Sequence, residues 1–131
     1  MSDVKAIRYL LSTSAALVAV VPATRIQAGD LPQGVALPAI GITHVSGIWR
    51  QEISKQSKSC LARVQVTVLA ASYAQQKQII ELVRDAVPRT HGVVNGVQID
   101  SILRQPDGPD MSDPALGLYI QTQDYMVNFH T

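Results

Sequence analysis

The sequence predicts an α+β fold: one domain over residues 1–131, a mainly antiparallel β-sheet with N-terminal helices and one long central helix packed on it. Three observations predict it. From Cys60 to Arg89 an alternating apolar strand runs directly into an amphipathic helix. Asn95-Gly96 between Val94 and Val97 is the signature of a tight hairpin. Hydrophobic residues make up 47% of the chain but aromatics only 5%, so the core must be Val, Ile, Leu and Ala, which suits thin layers of sheet and helix.

The N-terminal segment admits two readings. Lys5 and Arg8 precede an apolar run from Ala15 to Val21, and Val21-Pro22-Ala23 resembles a cleavage site, as in a secretory signal. Asp3 in the would-be basic region and Ser12-Thr13-Ser14, which interrupt the would-be apolar core, oppose that reading. The favoured expectation is a first helix with Val4, Ile7, Leu10 and Leu11 on one stripe. A second, short helix follows, capped by Ser14 or Thr13 and ending before Pro22. The apolar run is far shorter than the roughly 20 residues of a membrane span, so no membrane association is expected.

A short strand at Arg25–Gln27 leads into a surface loop marked by Gly29, Pro32, Gly34 and Pro38. Ala39–Ser46 reads as a strand with Ile40, Ile42 and His44 on one face. His44 is expected to be a packed or hydrogen-bonded sheet residue, since no residue with ligand spacing stands near it. Gly47–Ser59 is polar and longer than a tight hairpin needs. Trp49 and Ile53 lie within it, with Arg50, Lys55 and Lys58 around them, the composition of an apolar anchor in a charged rim. The alternative for Trp49 is folding back onto its own sheet.

Val64, Val66, Val68 and Ala70 then alternate with Arg63, Gln65 and Thr67, burying one face of a strand. Ser72 and Gln75 form a capping box, and Ile79, Ile80, Val83, Ala86 and Val87 recur at helical spacing up to Pro88. Val97–Gln105 is the next strand. Pro106–Pro114 is expected as a loop carrying Asp107, Asp110 and Asp113 into a last strand, Leu116–His130. These carboxylates lack the closing glutamate and ligand pattern of a calcium loop, so solvated turn residues are expected and no metal. Along the last strand, Leu116, Leu118 and Ile120 share one parity while Tyr125, Val127 and Phe129 share the other. A β-bulge between Gln121 and Asp124, or a strand end packing on a neighbouring subunit, would explain that switch.

The chemistry available is sparse. Eleven basic against ten acidic residues leave a formal charge of +1, too little to gather nucleic acid or an anionic membrane. The single Cys60 can form no internal disulfide or paired-cysteine zinc site, and a reducing compartment is expected. His44, His91 and His130 have no metal-binding spacing, and no nucleophile elbow, P-loop or dinucleotide fingerprint occurs. Cys60 with a distant histidine could form a nucleophile and base, but at the start of an apolar strand it reads as structural. No enzyme and no cofactor are expected.

The order of elements resembles the tail terminator or tail completion proteins of long-tailed bacteriophages. The likeness runs through LLSTSAALVAVV, RIQAGDLPQGVALPAIGITHVSG, RVQVTVLAASYAQQKQIIELVRDAV and DPALGLYIQTQDYMVNFH. It implies a structural virion protein, assembled in the host cytoplasm, that caps the head-proximal end of the tail tube and stops its polymerisation. It also implies docking to the head connector, as a homohexameric ring around a channel through which DNA passes unread. Partners would be further copies, the tail tube protein and connector or adaptor proteins. The segment with Trp49, Arg50, Ile53, Lys55 and Lys58 is the candidate subunit or partner interface, and Asp107, Asp110 and Asp113 the candidate lumen or partner loop. The rival expectations are a head-completion or connector adaptor protein of the neck, and a small ligand-binding α+β domain.

Overall fold

A computed structural model of the chain describes residues 2–29, 31, 36–51, 58–89 and 91–130, with the backbone alone at Gln51. Pro32 and Gly34 of the expected surface loop lie outside them. The described elements are α1 (Ser2–Ser12), α2 (Ala15–Val18), a 3-10 turn (Ala23–Arg25), β1 (Ile26–Ala28), β2 (Ala39–Gln51), β3 (Lys58–Ala70), α3 (Tyr73–Ala86), β4 (Gly92–Val94), β5 (Val97–Asp107), β6 (Met111–Asp113) and β7 (Leu118–His130). The strands form one sheet in the order β1-β2-β3-β7-β5-β4, with β6 also paired to β7. Only β1 runs parallel to its neighbour. The architecture is the expected α+β one.

Local chemistry accounts for the helices. Ser14 Oγ accepts from Leu17 N and caps α2. Ser72 Oγ accepts from Gln75 N at 3.2 Å, and Gln75 Oε1 accepts in return from Ala71 N at 2.9 Å, a capping box displaced by one residue. Val4, Ala6, Ile7 and Leu11 of α1 and Ile79, Ile80 and Val83 of α3 are buried against one face of the sheet. That face is supplied by Cys60, Ala62, Val64, Val66, Val68 and Ala70 of β3 and by Tyr125, Val127 and Phe129 of β7. At the β4–β5 hairpin, Asn95 (φ 48°) and Gly96 (φ 81°) both take the left-handed conformation that a two-residue turn of this twist requires.

Four boundaries differ from the sequence expectation. β1 starts at Ile26 because Arg25 belongs to the 3-10 turn. β2 does not stop at Ser46: Gly47–Gln51 stays paired with β3 out to Gln51↔Lys58, past a bulge between His44 and Ser46. This extension has solvent on both faces at Val45–Arg50, so no apolar alternation marks it. Pro106–Pro114 is not a free loop either. β5 continues to Asp107, Gly108 N donates to Thr122 O, and β6 lies along the same edge of β7. Leu116 and Gly117 belong to the β6–β7 turn, so β7 starts at Leu118.

The parity switch in β7 has neither proposed cause. β7 stays in unbroken register with β3 from Ser59↔His130 to Ala70↔Tyr119. Gln121 and Gln123 occupy the buried, helix-facing side, in line with Tyr125, Val127 and Phe129, while Leu118 and Ile120 lie on the other face. Buried glutamines make an unbroken face look interrupted. The irregularities lie in β5, between Ile99 and Ser101 and between Arg104 and Asp107.

Candidate functional site

The paired ends of β2 and β3 form an arm. Val45, Ser46, Gly47, Ile48, Trp49 and Arg50 are all exposed, as is Lys58 across the arm. Ile53 and Lys55 lie outside the described residues. Trp49 folds back onto its own sheet in part: its ring meets Phe129 edge-on at 5.6 Å between centroids, and 58% of the residue remains exposed. Ile48, on the opposite face of β2, is 62% exposed.

The acidic segment is tied to α3 rather than free. Lys77 and Arg84 lie two helical turns apart on one face of that helix. Lys77 Nζ donates to Asp110 Oδ1 at 2.6 Å, and Tyr73 OH donates to Asp110 Oδ2 at 2.8 Å. Arg84 Nη2 lies 2.7 Å from Asp107 Oδ1, and its Nη1 lies 2.9 Å from Glu81 Oε1. The hydrogen bonds from Lys77 and Tyr73 hold the Asp110 carboxyl below the usual aspartate range. The same bond to Asp110 holds the Lys77 ammonium above the usual lysine range.

These cations also reach the buried glutamines. Lys77 Nζ donates to Gln121 Oε1, and Arg84 Nε donates to Gln123 Oε1, both at 3.2 Å. Gln123 Nε2 donates to Gln105 O at 2.6 Å. A ladder therefore runs from the acidic edge through α3 to the centre of β7. Asp113, at the end of β6, takes no part in it and is half-buried. In the sequence, the spacing of Lys77 and Arg84 on one helix face was the available signal for this clamp.

His44 has a partner that sequence spacing could not supply. Asp3, at the start of α1, is buried, and its Oδ2 contacts His44 Nδ1. A methyl at Gly47 would stand 3.1 Å from His44 Cε1 and 3.2 Å from Cys60 Sγ, so the imidazole and the thiol border the same small space. Burial, then the Asp3 charge, push the Cys60 thiol up, away from the thiolate a nucleophile needs. Among the described residues no group of three or more His, Cys, Asp or Glu could hold a metal ion.

With this geometry in place, the sequence matches the family model described as "Tail completion protein gp17" over residues 5–129. The chain belongs to that family of tail completion proteins. No curated protein matches it by sequence. Among solved structures, a chain from "Virion of native gene transfer agent (GTA) particle" superposes with a TM-score of 0.70 at 14% identity. The match covers 97% of this chain and 93% of that one. At that identity the likeness is one of fold, and it spans the sheet and helices alike.

Proposed function

We propose that this tail completion protein is a structural, non-enzymatic component of a phage-like virion. It caps the head-proximal end of the tail tube, stops tube polymerisation and presents the surface on which the head connector docks. It acts as a hexameric ring around the DNA channel. The observation that carries this reading is the family match over residues 5–129, nearly the whole of this sequence.

The surfaces fit that role. The sequence segment with Trp49, Arg50, Ile53, Lys55 and Lys58 is the proposed contact with a neighbouring subunit or the tube. The segment with Asp107, Asp110 and Asp113 is the proposed wall or partner loop. Because Arg84 and Lys77 neutralise Asp107 and Asp110, that segment offers DNA phosphates neither a strong hold nor a strong repulsion.

The test is negative-stain imaging of particles assembled without this protein. Unattached tails of uncontrolled length beside filled heads are expected. Tails of normal length with unjoined heads would move the protein to the head side of the neck. Normal infectious particles would end the assembly reading.

A further inference from the structure

The described sheet ends in two open edges of opposite direction, one of six residues and one of four. On one side, β1 covers β2 only at Ile40–Ile42, and beyond the bulge at Val45 the edge Ser46–Gln51 has no strand beside it among the described residues. On the other, β4 covers β5 only at Val97–Ile99. Ser101–Arg104 is left between the two bulges of β5, and Pro106, which has no N–H, ends the usable edge. Unpaired edges expose rows of N–H and C=O groups, and natural sheets usually blunt them with Lys, Pro or a covering element. From Ser46 to Trp49 the β2 edge carries no charge or proline.

We propose that copies of this chain join head to tail by strand addition, the Ser46–Gln51 edge of β2 in one copy pairing with the Ser101–Arg104 edge of β5 in the next. Strand direction permits it. The β2–β3, β3–β7 and β7–β5 pairs are all antiparallel, so β5 runs opposite to β2. Any rotation about an axis along the strands keeps those directions, and it therefore brings β5 against the neighbour's β2 in antiparallel sense. Such a contact joins unlike patches and can close into a ring.

The side chains agree on both faces. Ile48 and Leu103 both lie on the face away from the helices and are both exposed, so pairing places one apolar residue beside the other. Trp49 lies on the helix face of β2. On that same face of β5, an open groove of about 370 Å³ runs between the strand and the end of α3, lined by Val87, Pro88, Arg89, Ile102 and Arg104 among others. The exposed lining of that groove is mainly polar, so the indole would seat there by stacking on the guanidinium groups rather than by burial against apolar walls. The occupant of each edge is thus a second copy, and the sheet continues from subunit to subunit.

This inference rests on the ring reading for closure and is tested separately from it. In the full chain carrying Cys60→Ala, which removes its one native cysteine, single cysteines are placed on β2 (Ser46→Cys, Ile48→Cys, Arg50→Cys) and on β5 (Ser101→Cys, Leu103→Cys). β2 and β5 variants are mixed pairwise and oxidised, and solution mass is measured by light scattering. At least one mixture is expected to give disulfide-linked dimers absent from either variant alone. The corresponding double variant is expected to give a ladder of multimers. A multimer by mass with no cross-link in any mixture would overturn strand addition and leave the ring standing. Dimers from Ile48→Cys alone, with nothing added by mixing, would show β2 meeting β2 and also overturn it. A chain that remains monomeric throughout would overturn both readings.

Discussion

Lys77 Nζ stands 2.6 Å from Asp110 Oδ1 and 5.1 Å from the centroid of the Tyr73 ring, so one ammonium joins the acidic edge segment to the first turns of α3. The pH window follows from the two shifts. Asp110 is lowered, so its contribution is complete above the ordinary carboxyl range and is lost as pH falls through the depressed value. Lys77 is raised, so its contribution is complete below the ordinary lysine range and is lost as pH rises through the elevated value. Both groups are in water, so the pair anchors a segment locally and screening by salt weakens it. Lys77→Met is therefore expected to speed hydrogen exchange at residues 108–113 near neutral pH while leaving exchange in β3 unchanged. Wild-type exchange in that segment should rise with added salt. Identical protection in the variant would show that pairing with β7 alone holds the segment.

Asp3 and His44 call for a larger effect. The Asp3 side chain is 2% exposed and its Oδ2 meets the imidazole, which leaves it dependent on that partner and on the N–H groups that open α1. His44→Ala strands a buried carboxylate and is expected to cost roughly 3 kcal/mol in urea unfolding. Asp3→Asn combined with His44→Ala should recover part of that loss, because a neutral amide is cheaper to bury. A single-variant cost no greater than a surface substitution would mean that α1 does not rely on this contact.

Much of the fold was legible in the sequence where side chains carry the signal. The strand from Val64 to Ala70, the Ser72 cap, the helix after it and the Asn95-Gly96 hairpin each combine a period with a local punctuation mark, and the structure keeps them. The arm was illegible beyond Ser46 because backbone pairing holds it, and water bathes both its faces. β7 misled for the opposite reason: Gln121 and Gln123 are core-facing residues satisfied by Lys77, Arg84 and a backbone carbonyl, none of them close in sequence. Asp3 and His44 stand 41 residues apart, which no spacing rule connects. Of the candidate interface residues, Trp49 was legible as a lone large aromatic in a polar stretch, but its edge contact with Phe129 depends on β3 lying between their strands.

Tyr125 gives an alkaline test. Its ring is buried at the centre of β7 and its hydroxyl has no hydrogen-bond partner among the described residues. Burial pushes its pKa up to about 12, against the opposing pull of Arg104 and Arg84. A raised value means stability complete below the ordinary phenol pKa of about 10 and lost as pH climbs through the folded value, on the order of 3 kcal/mol in all. Tyr125→Phe removes an unpaired buried hydroxyl. It is expected to raise stability at neutral pH by about 1 kcal/mol and to flatten the unfolding profile between about pH 10 and 12. An unchanged alkaline slope would assign that limb to other groups.

Gln76 is the second unpaired polar group in the core. It is 1% exposed on the sheet-facing side of α3, and neither its Oε1 nor its Nε2 has a partner among the described residues. Gln76→Met keeps the length and helix propensity of the side chain and removes both desolvated atoms. The expected gain is about 1–2 kcal/mol in thermal or urea unfolding. A loss of stability would reveal a bonded amide at that position.

Trp49 separates folding from assembly. Within one chain the indole gains an edge contact with Phe129, a pair worth about 1 kcal/mol, and more than half of the residue still faces water. Trp49→Ala is therefore expected to lower the unfolding free energy by about 1–2 kcal/mol and to leave the far-ultraviolet spectrum unchanged. At an interface the same residue would be an anchor whose truncation costs 2 kcal/mol or more, roughly 30-fold in association. Multimer formation, followed by light scattering across a dilution series, should thus fail at concentrations where the variant is still fully folded. Phe129→Leu supplies the control, since it removes the internal edge contact and keeps the exposed indole. It should reduce stability with less effect on association. Equal losses of stability and of assembly in Trp49→Ala would make Trp49 a residue of the arm's own packing rather than of a contact between copies.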